Sequence, residues 1–551
     1  MKDMNQRLFV VIALWLGVAV LLNLFLPQYF SFGKKPDRPA AVASQETPAP
    51  APAAPPTPAA QVPQRTAGTA ARPPTQKATL ETPRVRAVAT SDGATLESLQ
   101  LLGEKFKRHK QGAREESQVD LAEGRAGEPP PFSTMLKGAD GAVVVPADAG
   151  YELVRHDATS ATFRARIAGV TVTKTFKLDP ATYRVDLEVA VEGATAGALA
   201  VLWGAHAEEP SGSFFSPSHK VPARSLCAAG GKPPERENVG AKKPVWSATA
   251  AQYAGIDEQY FLTAVVAPEG VPASCEIEAR TTAEKQGSVL ATLIVPVAPK
   301  LAFVGYAGPK DVDELVAVAK PLRETVDFGF WKIIADVLLG IMKLFHRLVP
   351  PHNWGISIIL LTLFVKLLTF PLQHKSMKSM QEMQKLQPQL EEMKKKFAGD
   401  QQRQNLEQMK LFKEHGVNPM GSCFPMLIQM PIWFALYTTL QVSVELYNAP
   451  FIPGWLADLT APDPYYILPV AMGITMVLTQ VLTPAPMSNP SQKTMGYVMS
   501  GFFSLLMLTL PSGLTLYIFT NNVLSILQQI YLRRTLKIRP PPAGTQTVKV
   551  S

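Results

Sequence analysis

Apolar positions change period twice along the chain. From Val170 to Gly193 they alternate with polar ones, VTVTKTFKL and then YRVDLEVAVEG around a turn-like DPAT. That alternation predicts two strands of a half-buried antiparallel sheet. SVLATLIVPV (288–297) is a further strand candidate, and PKDVDELVAVAKPL (309–322) reads as a short helix. In DFGFWKIIADVLLGIMKLFHRLVPP (327–351) the period becomes helical: Trp331, Ile334, Leu338, Ile341, Phe345 and Leu348 share a face. Between a soluble domain and a membrane helix, such a segment is expected to lie flat at the interface. Long apolar runs follow at about 353–372, 422–443, 465–482, 495–510 and 513–531, the last two separated only by Pro511-Ser512-Gly513. With the run at 7–27, six membrane spans are predicted.

The polar stretches divide the rest. Residues 1–28 are expected to be an uncleaved membrane anchor and 29–83 a Pro/Ala-rich tether, whose composition cannot bury a core. A β-rich domain is expected over 84–322, the amphipathic helix over 327–350, a helical membrane core over 353–534 and a basic tail over 535–551. Within that core, 373–415 is too patterned for a loop. Met377, Met380, Met383, Leu386, Leu390, Met393 and Phe397 recur every three or four residues, and Leu406, Met409 and Phe412 resume the pattern after Ala398-Gly399-Asp400. This predicts an antiparallel helical hairpin with an apolar seam, kinked at Pro388. Its methionines either pack that seam or offer a deformable surface to partners.

Charge orients these elements. The formal net charge of +9 invites a nucleic-acid reading, but the positive residues flank the apolar runs, and no DNA partner is predicted. Lys375, Lys378, Lys385, Lys394, Lys395, Lys396, Lys493, Arg533 and Arg534 fall on one side of the alternating spans. The opposite loop, 444–464, has no Lys or Arg. The positive side is cytoplasmic by the usual bias, which places both termini in the cytoplasm and the β-rich domain in the periplasm of a bacterial inner membrane.

Candidate chemistry is sparse. The three cysteines, Cys227, Cys275 and Cys423, form no metal motif; Cys227 and Cys275 either pair in an oxidising compartment or remain buried thiols. No phosphate-binding GxxxxGK[ST] occurs, and no nucleophile–base set or paired aspartates for an intramembrane protease. Catalytic residues, metal and cofactor are therefore expected to be absent. One residue stands out. Lys366 interrupts GISIILLTLFVKLLTFPLQH (355–374), where an intramembrane lysine costs roughly 2.5–3.5 kcal/mol. It either snorkels to the headgroups or faces a wet recess. Thr362 lies one turn away, Gln429 at similar depth, and Tyr517, Asn521, Ser525 and Gln528 share one helical face, so a hydrophilic inner-leaflet groove is expected. No span carries Asp or Glu, which argues against a proton-relay transporter.

The segments NPMGSCFPMLIQMPIWFALY (418–437), DPYYILP (463–469), PSGLTLY (511–517) and GYAGPKD (305–311), with the basic hairpin, resemble the YidC-type membrane protein insertases. The resemblance covers essentially the whole chain. It implies a polytopic α-helical membrane protein with a five-helix insertase core and a periplasmic all-β supersandwich domain. It implies insertion and folding of nascent membrane proteins, alone or beside the Sec translocon, in contact with ribosomes and lipids. The groove would comprise Lys366, Thr362, Gln429, Met430, Trp433, Tyr517, Asn521 and Ser525. Met377, Met380, Met383, Lys394, Lys395 and Lys396 of the hairpin would meet clients or ribosomes. The family's groove usually carries arginine where this chain has Lys366, so charge is kept and the bidentate fork is not. The rival readings are a non-inserting scaffold of the Sec machinery and a transporter.

Overall fold

The structure, a computed structural model, describes residues 74–108, 117–122, 128–194, 196–208, 222–238, 245–281, 286–416, 419–482 and 490–535. The expected first span at 7–27, most of the tether and the tail beyond 535 lie outside them.

Alternation builds the first half. A nine-stranded antiparallel sheet runs from Glu235–Glu237 through Arg224–Ala229, Ala251–Asp257, Phe261–Val266, Lys300–Pro309, Arg184–Glu192, Val170–Leu178 and Ser160–Ile167 to Glu152–His156. The expected hairpin is its centre: Val172 faces Val191, Phe176 faces Leu187, and the Asp179 carboxylate accepts from Ala181 N (3.1 Å) and Thr182 Oγ1 (2.6 Å) to fix the turn. A six-stranded sheet orders Val245–Thr249, Ser274–Thr281, Gln286–Pro296, Ala198–Glu208, Ser133–Lys137 and Val143–Val145. The inward residues of both sheets, among them Phe132, Phe163, Phe176, Trp203, Tyr253 and Phe303, are almost wholly removed from water. Burial of this kind, at ~25 cal/mol per Å² of apolar surface, holds the sandwich together.

Two findings here sharpen the sequence reading. Cys227, in the nine-stranded sheet, is disulfide-bonded to Cys275, in the six-stranded one, with Cα atoms 6.3 Å apart. The domain also starts earlier than 84: Lys77–Glu81 is a strand paired with Val85–Thr90, burying Ala78 and Leu80. Its five residues alternate cleanly, but they stand at the end of a Pro/Ala-rich stretch whose bulk composition masked them.

Helices make the second half: α1 (Val312–Val318), α2 (Lys332–Leu348), α3 (Trp354–Lys385), α4 (Gln387–Lys396), α5 (Gln401–Glu414), α6 (Pro419–Val442), α7 (Ile467–Leu482), α8 (Pro490–Met507) and α9 (Ser512–Thr535). Within α3, Trp354–Ser376 is long and apolar enough to cross a membrane, by length and composition; Ile467–Leu482 and Gly496–Met507 are shorter apolar helices. The apolar stripe of α2 is wider than expected. Ala335, Leu338, Leu339 and Met342 are buried, with Phe345 against Phe364 of α3 and Trp331 stacked near Phe434 of α6. On its other side Ile333, Val337 and Leu344 are exposed, and so is Leu348, which the helical period places on the face of Leu338. An apolar surface on both flanks suits a helix lying between protein and lipid.

The hairpin departs from its expected geometry in two places. Helix α3 continues through Pro371 to Lys385, so span and hairpin arm are one helix. The break falls at Leu386, and Pro388 stands in the first turn of α4, where a missing N–H costs little. The seam is Met383, Leu386, Leu390 and Phe412, whereas Leu406 and Met409 face outward. At the tip, Gly399 takes a positive φ of 98°, and the Asp400 carboxylate accepts from Arg403 N to cap α5.

Candidate functional site

Lys366 stands near the middle of the apolar part of α3. At ~1.5 Å per residue it is roughly 18 Å from Trp354 and 15 Å from Ser376. Its ammonium donates to Ser525 Oγ of α9 at 2.8 Å, and Ser525 Oγ donates in turn to Asn521 O at 2.7 Å. The serine hydroxyl therefore uses a lone pair for the lysine and its proton for the backbone. Among the described residues no carboxylate pairs with Lys366, whose ammonium is held by that serine oxygen.

One and two turns from Ser525 along α9 lie Asn521 and Tyr517, on the same face by the i, i+4 rule. Both line an open cavity of about 360 Å³ between α6, α7, α8 and α9. Gln429 joins them, its Nε2 donating to Tyr517 Oη at 3.2 Å. Met430 and Trp433 complete the α6 wall. The remaining wall is apolar and flexible: Met472 and Met476 from α7, Phe503 and Met507 from α8. Of the expected groove residues, Gln429, Met430, Trp433, Tyr517 and Asn521 meet around this cavity, with Ser525 one turn further along α9 and Lys366 of α3 bonded to it.

Thr362 does not join them. It is 1% exposed, and its hydroxyl donates to Ile358 O at 2.6 Å within its own helix. A back-bonded threonine has no free proton to offer a partner. The cavity is also less polar than expected. Three polar residues line one strip, and thioether and aromatic surface covers the rest. Met472/Met476 and Phe503/Met507 escaped the sequence reading, although each pair has the i, i+4 spacing of a shared face. Nothing in the sequence distinguishes a methionine turned inward from one turned toward lipid.

In the hairpin, Lys395 and Lys396 are exposed. Lys396 Nζ and the Arg403 guanidinium lie 5.8 and 5.2 Å from the Phe397 ring centroid, a cationic tip around an aromatic. Met383 is only 5% exposed because it packs the seam, so it presents no surface to a partner. The side chains of Met377, Met380 and Lys394 lie outside the described ones. Met409, 62% exposed on α5, is a thioether that the hairpin does offer to solvent.

Comparison with known proteins matches both halves. A family model described as the YidC periplasmic domain covers residues 77–341, and one described as the 60Kd inner membrane protein covers 344–539. The membrane protein insertase YidC of Anaeromyxobacter dehalogenans strain 2CP-1 is 40% identical over 86% of this chain and 87% of its own. That of Anaeromyxobacter sp. strain Fw109-5 is 42% identical over 83% of this chain and 84% of its own. A solved structure of an active YidC insertase, with its first transmembrane domain resolved, aligns with 84% of this chain and 93% of its own at 18% identity and a TM-score of 0.36. On the family-model matches and the identity to these curated relatives, the chain belongs to the YidC family of membrane protein insertases.

Proposed function

We propose that this protein inserts and folds nascent integral membrane proteins through the Lys366–Ser525 site and the adjoining cavity. The observation that carries the reading is a lysine near mid-helix, held by a serine and, among the described residues, without a carboxylate partner. A client span must move a polar tail through hydrocarbon, where each unpaired polar group costs several kcal/mol. A cation at that depth attracts the acidic groups of such a tail. The methionine-lined wall accepts varied apolar side chains, because thioethers adapt their shape. Burial of the client span in lipid supplies the driving force.

In this reading the chain has six spans, counting 7–27, with 373–415 and both termini in the cytoplasm and the β domain in the periplasm. The hairpin meets arriving chains and ribosomes through its cationic tip, and the Sec translocon and lipids are further partners. The test is reconstitution of the purified protein alone in liposomes with a small single-span client. Protease-protected insertion is expected. Insertion that requires added Sec components would favour the scaffold reading, and uptake of a small solute without client insertion would favour a transporter.

A further inference from the structure

The loop from Ser443 to Tyr466 joins α6 to α7 on the side where the β domain lies, and it is a built layer. Asn353 Nδ2, at the start of α3, donates to Pro450 O and Phe451 O at 3.2 and 3.0 Å. Phe451 lies so close to Gly355 that any Cβ there would collide with its ring. At the start of α9, Ser512 N donates to Ala461 O and Gly513 N to Leu459 O, at 2.8 and 2.9 Å. Asp463 accepts from Trp455 Nε1 and from Leu468 N in the first turn of α7, at 2.8 and 2.7 Å. The loop thus caps the ends of α3, α7 and α9, and α7 and α9 wall the cavity.

A second set of contacts fastens this cap to the β domain. Asn448 Nδ2 donates to Lys105 O and Lys107 O at 3.0 and 2.6 Å. Tyr447 lies with its ring 5.2 Å from those of both Tyr260 and Phe261. The charged hub is Lys343 of α2. Its ammonium meets Glu445 of the loop at 2.8 Å, Asp313 at 3.0 Å and Asp311, the cap of α1, at 3.2 Å. Glu445 is only 4% exposed. One cation therefore holds three carboxylates from two separate segments. Without it, Glu445 would stay buried near two other carboxylates with Lys105 as the remaining nearby cation, and expulsion of the loop would relieve that cost.

We propose that Lys343 is a positioning residue for insertion, pinning the loop 443–466 over the ends of α7 and α9, two walls of the cavity, so that the site stays closed to the aqueous phase on the β-domain side. With that side closed, an arriving tail is retained beside Lys366 until the loop yields. The inference rests on the reading of the cavity as the client site only for this consequence; the closure itself is measured without a client.

The test uses the full chain carrying Cys423→Ser and Met507→Cys, since Met507 lines the cavity and is 2% exposed. Cys227 and Cys275 are consumed by their disulfide. A membrane-impermeant maleimide is added on the β-domain side, and the labelling rate at 507 is followed. The parent is expected to react slowly. Lys343→Met and Glu445→Gln are each expected to raise the rate roughly tenfold or more, the order by which losing a charge-assisted contact shifts a local opening. Lys343→Arg is expected to restore slow labelling. Glu445→Gln is nearly isosteric and leaves Lys343 its two aspartates, so it reports even if Lys343→Met folds poorly. Fast labelling of the parent, or an unchanged rate in both variants, overturns the proposal. So does a rise that appears only together with protease sensitivity of the β domain, which would mark a general loosening. Cross-linking of a client at 430 or 476 tests the client site independently.

Discussion

Replacing Lys366 with methionine separates stability from function. An intramembrane lysine costs roughly 2.5–3.5 kcal/mol, and a hydrogen bond from a charged donor such as that to Ser525 returns about 1.5–3 kcal/mol. The two largely offset each other, so Lys366→Met should change the stability of the helical core by no more than about 2 kcal/mol. Its effect on transit should be larger and selective. A client carboxylate passing about 6 Å from the ammonium, at an effective dielectric of about 20, is attracted by roughly 3 kcal/mol. Losing that attraction at the barrier slows an acidic tail roughly 100-fold, and a tail with Asn and Gln in place of Asp and Glu hardly at all. Lys366→Arg should keep most activity, and Lys366→Glu should be the worst of the series. The assay is protease protection of paired clients, identical apart from tail charge, in liposomes holding each variant, with the melting temperature measured in parallel. Equal slowing of acidic and neutral tails, or a loss of activity that tracks melting, would refute the electrostatic reasoning.

Three further outcomes are expected. Cys227→Ser with Cys275→Ser should destabilise the β domain by about 4 kcal/mol on the chain-entropy argument for residues 48 apart in sequence; an unchanged urea midpoint, or a parent indifferent to reductant, would count against it. Lys174 is fully buried, its ammonium donating to Gly93 O and Phe132 O at 3.1 Å each, and burial pushes its pKa from 10.5 down to about 7. Between those values the unfolded chain holds a proton that the folded one lacks, so β-domain stability should rise with pH across that interval, and Lys174→Met should abolish the rise in denaturant titrations. Lys395→Ala with Lys396→Ala should weaken ribosome cosedimentation at low salt and little at high salt, because exposed charges are screened within ~10 Å at 0.1 M; an undiminished salt dependence would exclude the tip as the contact.

Much of this architecture is written in local periodicity. Alternation in VTVTKTFKL places Val172 and Phe176 on the buried face, because successive strand residues point to opposite sides whatever the chain does elsewhere. The apolar runs locate helices, and Pro511 marks the short joint, residues 508–511, between α8 and α9, because proline interrupts a helix by its own backbone chemistry. The anomaly of Lys366 was visible too, since its cost depends only on its apolar neighbours. What surrounds it was not. Ser525 is 159 positions away, and an i, i+4 face of polar residues does not say which helix it meets. Met383 and Met409 obey the same hairpin period, yet one is buried and the other exposed, because the facing residues of α4 and α5 decide where the seam closes. The pairing of Cys227 with Cys275, the internal bond that withdraws Thr362, and the convergence of Glu445, Asp311 and Asp313 on Lys343 are likewise contacts between segments. A sequence determines which faces must be covered; only tertiary packing, by excluding water from one set of contacts among many, decides what covers them.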